Sequence, residues 1–156
     1  MMWESKMPIT PNGIEPIGCM YMSTPAARTI ATGGTLEKCN GTVTEVTTSE
    51  NMSVTTTGGG RITYTGAATI YMRIVVAYSL SVDQNNRDVA VGLGKNGTLI
   101  ACSEITDYVT TANVQSSGCI SCIVEFAQND YIEFFVTSDT NGDDVTVEKM
   151  NFSVGG

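Results

Sequence analysis

The chain contains no histidine. That absence removes the commonest general base and the commonest metal ligand, and it excludes Ser–His–Asp and Cys–His catalysis within one chain. Basic residues are also scarce, 8 against 16 acids, which leaves a formal net charge of −8 and no basic cluster. A chain of this sign repels phosphate, so neither nucleic acid nor an anionic membrane surface is expected as a partner. No apolar run approaches the ~18 residues that a membrane-spanning helix needs. The opening Met1-Met2-Trp3-Glu4-Ser5-Lys6 has no apolar run of the signal-peptide kind. The expectation is a product made in a reducing cytoplasm. The four Asn-x-Ser/Thr triplets, at Asn40, Asn51, Asn96 and Asn151, then reflect only a Thr-rich composition. Proline is missing after position 25, since Pro8, Pro11, Pro16 and Pro25 are the whole set.

What is present suits strands. Charged residues make up only 15% of the 156 residues, and Thr, Ser and Asn take their place on the surface. These residue types favour exposed strands and turns over exposed helices. The length fits one domain with some chain to spare. Five cysteines, Cys19, Cys39, Cys102, Cys119 and Cys122, are an odd number, so at least one is free or pairs between chains. Cys119-Ile-Ser-Cys122 has redox or zinc spacing, but on a strand its two thiols point to opposite faces. A second ligand pair is missing as well. Buried free thiols are therefore expected, with no metal and no cofactor.

Residues 1–35 read as an extended N-terminal arm, because all four prolines lie there. The arm is apolar, with Trp3, Met7, Ile9, Ile14, Ile17, Met20 and Tyr21, and disordered tails are poor in such residues. It must lie either on its own domain or across a neighbour.

Residues 36–156 read as about eight short strands. Ile70, Met72, Ile74, Val76, Tyr78, Leu80 and Val82 fall on one face at period two. The opposite face, with Tyr71, Val75 and Ala77, is half apolar, which suggests partial burial against another subunit. Asn96-Gly97 is a strong hairpin signal. Tyr131 to Val136 reads as a central strand, with Glu133 as its one exception. Val145 and Val147 are out of phase with Met150, Phe152 and Val154, so a bulge near Glu148-Lys149 or burial of both faces is expected. Asp139 to Asp144 superficially matches a calcium loop, but its glycine sits too early. The pattern predicts an all-β jelly-roll sandwich.

From Ile62 onward the chain resembles the tumour-necrosis-factor and complement-head jelly rolls. The resemblance lies in Ala67-Ala68-Thr69-Ile70-Tyr71-Met72, in Val91-Gly92-Leu93-Gly94-Lys95-Asn96-Gly97, in Ser117-Gly118-Cys119, and in the run Val124 to Ile132. Asn129 stands where that family usually has glycine, and Val147 to Val154 lacks its usual glycine and paired leucines. The resemblance implies a homotrimer packed through one sheet, with Tyr71, Val75, Tyr131 and Phe135 as candidate interface residues. Together with the Thr/Gly-rich lead-in Thr32 to Thr42, the chain also resembles tailed-phage structural proteins: capsid decoration (cement) proteins, head fibres and tail-fibre tips.

The functional expectation is therefore a phage virion protein on the capsid exterior. It would trimerise and grip the major capsid protein through Trp3, Ile9, Ile14 and Met20 of its arm. The alternative is the tip of a fibre or spike that binds a receptor or host surface glycan, although Tyr108 is the lone loop aromatic. Glu104, Asp107, Glu125 and Glu133 could in principle supply a glycosidase pair. Nothing brings two of them together in sequence, and solvated charges are expected instead of an enzyme.

Overall fold

The computed structural model describes residues 15–155. Trp3, Ile9 and Ile14 lie outside them. Among the described residues, thirteen strands form two antiparallel sheets: β1 (Ile17–Met22), β2 (Ala26–Thr29), β3 (Glu37–Lys38), β4 (Thr44–Thr48), β5 (Met52–Thr55), β6 (Arg61–Tyr64), β7 (Ile70–Val82), β8 (Arg87–Lys95), β9 (Thr98–Leu99), β10 (Ile105–Val109), β11 (Ser116–Phe126), β12 (Tyr131–Ser138) and β13 (Asp144–Gly155). One short 3-10 turn spans Ala101–Ser103. The first sheet runs β11-β7-β13-β1-β4, with β2 beside the start of β13. The second runs β10-β8-β12-β6-β5, with β3 on β12 and β9 on β8. This is the expected jelly-roll sandwich. The strands beyond eight are mostly short pieces of the lead-in and of the loops around β10.

The core lies between the sheets. All seven period-two residues of β7, from Ile70 to Val82, are buried, and they face Leu93, Phe134, Val136 and Ile132 of the second sheet. The Tyr78 and Phe134 rings meet at 5.4 Å between centroids. The phase change in the last strand is a bulge: the β13–β7 register shifts between Val147 and Lys149. The extra residue brings Val145, Val147, Met150, Phe152 and Val154 all to the inner face.

The arm boundary moves. Strand β1 begins at Ile17 and pairs with both β13 and β4, and β2 pairs with β13. Pro16 and Pro25 flank these strands and take no part in their ladders. Residues 17–35 therefore belong to the sandwich. Met20 and Met22 are buried in the core, so Met20 is a packing residue and not a capsid anchor.

Two turns carry the local logic of the family pattern. Asn96 and Gly97 have φ of 52° and 79°, the hairpin geometry that Asn-Gly favours. The Asn96 amide donates to Asp130 Oδ1 at 2.6 Å, and its carbonyl accepts from the Tyr131 amide at 3.0 Å. Lys95 Nζ and the Ala127 amide hold the other Asp130 oxygen at 2.7 and 2.8 Å. Asn129, in the place of the family's glycine, has φ of 70°. Asparagine tolerates that left-handed conformation, so the substitution keeps the turn.

Candidate interaction face and loop cleft

The four expected interface residues do not share one surface. Tyr71 and Val75 lie on the outward face of the first sheet, while Tyr131 and Phe135 lie on β12 of the second. Phe135 is 6% exposed. Its ring fills the space left by the missing side chain of Gly94, where an added Cβ would overlap three ring carbons. A Cβ at Gly92 would meet Leu99 and Leu36. The loop and lead-in segments thus close over Gly92 of β8 from outside, beside Phe135 of β12, and form a second, smaller apolar layer. Phe135 is occupied within its own chain and is not an interface residue.

Beside it, Glu133 is buried, contrary to the expected solvated charge. Its Oε1 takes Lys38 Nζ at 2.6 Å and Arg61 Nη2 at 3.0 Å. The Arg61 guanidinium also stacks 4.0 Å above the Tyr131 ring. Tyr131 therefore belongs to this ion-pair cluster. The other carboxylates of the glycosidase alternative are dispersed. Asp107 accepts from Ser116 Oγ, and Glu125 accepts from the Tyr71 hydroxyl, which raises the tyrosine's pKa. Glu104 is exposed after the 3-10 turn. In the calcium-like turn, Asp143 Oδ2 is taken by Arg87 Nε and Ser138 Oγ, both at 2.6 Å.

The outward face of the first sheet differs in character. Three lateral rows cross its strands. Ile123, Arg73, Gly155 and Ile17 form one; Ser121, Val75, Ser153, Cys19 and Thr47 form the next; Cys119, Ala77, Asn151, Tyr21 and Thr44 form the third. Arg73 is the only charged residue in the three rows. Ile123 is 71% exposed and Tyr71 67%. Depletion of charge with exposed aliphatic and aromatic side chains is the compositional mark of an interface centre.

The cysteines follow these surfaces. All five are free. Only Cys39 is buried, and burial pushes its pKa up to about 12. Cys102 and Cys119 are exposed, so the expectation of buried thiols holds for one position in five. Cys119 and Cys122 do take opposite faces of β11, Cys119 outward and Cys122 half-buried against the core.

A shallow cleft of about 200 Å³ opens where the sheet edges β10 and β11 approach each other. Asp107, Tyr108, Val114 and Gln115 help to line it. The Tyr108 hydroxyl donates to Asn86 Oδ1 at 3.2 Å.

No family profile and no curated protein sequence matches the chain. Solved structures do match. An Eiger TNF from S. frugiperda superimposes with a TM-score of 0.57 at 9% identity, covering 91% of this chain and 92% of that one. Murine APRIL at pH 5.0 gives a TM-score of 0.48 at 8% identity over 92% of this chain and all of that one. The Eiger superposition makes the fold a TNF-like jelly roll.

Proposed function

We propose that this chain is a non-catalytic virion component, a phage capsid decoration protein. It associates as a homotrimer through the outward face of the first sheet, and it grips the major capsid protein through residues 1–14. The observation that carries the reading is the charge-poor triple row centred on Val75, in which Arg73 is the one charge and Ile123 stands most exposed, with Tyr71 beside it. Such a face is costly to leave in water and suits a second and third copy of itself. The resemblance to trimeric jelly rolls and to phage decoration proteins supports the same reading. Support for the anchor comes from sequence: Trp3, Ile9 and Ile14 precede the first strand without an acidic or basic cluster. Three arms on one trimer would multiply a weak contact through avidity.

The test is co-sedimentation with shells assembled from the major capsid protein of the same virion. The full chain should pellet with the shells. Val75→Arg should give a folded monomer that binds far more weakly, and deletion of residues 1–14 should give a folded trimer that no longer binds. Undiminished binding by the truncated trimer would overturn the anchor, and an unaltered Val75→Arg trimer would overturn the interface.

A further inference from the structure

We propose that the cleft between β10 and β11 is a binding site for a neutral saccharide, with one pyranose ring stacked on Tyr108. The site is independent of the self-association face. It shares no lining residue with the three rows and lies at the sandwich edge, where Asp107 and Tyr108 of β10, the edge strand of the second sheet, meet Ser116 at the start of β11.

The cleft is built in advance. Ser116 Oγ donates to Asp107 Oδ2 and ties the two edge strands together. The other oxygen, Oδ1, accepts from the Tyr108 amide at 2.9 Å. The Tyr108 hydroxyl is held by Asn86, which fixes the ring while leaving the residue 55% exposed. The far wall is pinned by the Ala112 amide on Asn85 Oδ1 and by the Asn113 amide on the Val82 carbonyl, both at 2.7 Å. A loop ordered before binding loses little entropy when a ligand arrives, and a held tyrosine offers contact area at low entropic cost.

The lining has two chemistries. Tyr108 and Val114, the latter 54% exposed, are apolar, while Asp107, Thr110 and Gln115 supply donors and acceptors. A pyranose ring presents the same division, with a C–H face and a hydroxyl rim. No cation is among the lining residues, Asp107 is acidic, and the chain carries −8 overall. Acidic sugars and phosphates are therefore disfavoured. The volume is below the ~300 Å³ at which drug-sized pockets begin, which limits the occupant to about one ring.

The experiment is a 15N-labelled NMR titration of the full chain. The probes are the methyl glycosides of glucose, galactose, mannose and N-acetylglucosamine, with N-acetylneuraminic acid as the anionic control. At least one neutral glycoside should shift amides within 107–116 with an affinity on the order of 1 mM. Tyr108→Ala should weaken it by roughly tenfold or more. Val114→Glu, at an exposed position that the fold does not need, should do the same by charging the apolar floor. Val75→Arg should leave sugar binding intact, so loss of assembly and loss of this site are distinguishable. The proposal is overturned if no neutral glycoside shifts these amides at about 50 mM. It is also overturned if both site variants bind as well as the original chain, or if the anionic sugar binds equally well.

Discussion

Removing the Phe135 ring separates an internal packing role from a role between subunits. Phe135→Ala empties a site that is 6% exposed and bounded by Gly94, beside the phenylalanine's ladder partner Gly92, which Leu36 and Leu99 cover from separate segments. Phe-to-Ala changes in cores cost about 3–5 kcal/mol. The covering layer here is loop and short strand, which can collapse partway into the gap, so the lower end, about 3 kcal/mol, is expected. In a domain of this size that lowers Tm by roughly 6–12 °C. The reciprocal change is Gly94→Ala, whose methyl overlaps the ring and should cost about 1–3 kcal/mol by overpacking. Phe135→Leu should relieve that overlap, so the double variant Gly94→Ala/Phe135→Leu should be more stable than the sum of its singles by about 0.5–3 kcal/mol. Urea denaturation of the four chains measures the cycle. Strict additivity would refute the ring-into-glycine packing. A Phe135→Ala protein with unchanged Tm but altered mass would return Phe135 to the subunit interface.

Three further outcomes follow from the same geometry. Glu133→Gln should cost about 2–3 kcal/mol in thermal unfolding, because it neutralises a buried acceptor of two cations. Burial alone would raise the Asp130 pKa, but Lys95, Asn96 and the Ala127 amide outweigh it and hold the carboxyl below its usual value. A depressed carboxylate contributes stability above its unfolded pKa of about 3.9 and loses it as pH falls; Asp130→Asn should therefore flatten the acid limb of a urea-midpoint-against-pH curve, and an unchanged limb would count against this cluster. With a thiol-reactive dye, Cys102 should label quickly in the native protein and Cys39 only on unfolding, while Cys119 should be shielded in the wild type and labelled in Val75→Arg.

Much of the sandwich was legible because one signal, period-two alternation, is local. The strand from Ile70 to Val82 and the Asn96-Gly97 turn could be read directly. The phase slip in the last strand announced its own bulge, although the sequence left burial of both faces as an alternative. The first strands were missed because proline density suggested an arm, when Pro16 and Pro25 only flank strands. The alternation of Met20 and Met22 between those prolines was the available signal. The closed outer layer around Phe135 was hidden for a different reason. It joins Leu36, Gly92, Gly94, Leu99 and Phe135 from separate segments, and no short window contains it. Likewise, the charge-poor character of the interaction face appears only when β11, β7, β13, β1 and β4 are laid side by side. Within β7 alone, Arg73 makes the outward face look ordinary.

The most direct measurement is the native mass of the purified full chain by multi-angle light scattering across a range of concentrations. Self-association through the charge-poor face predicts three times the 16.5 kDa chain mass, falling to a single chain mass in Val75→Arg while the circular dichroism stays unchanged. A wild-type protein that runs as a stable monomer at every concentration would contradict it.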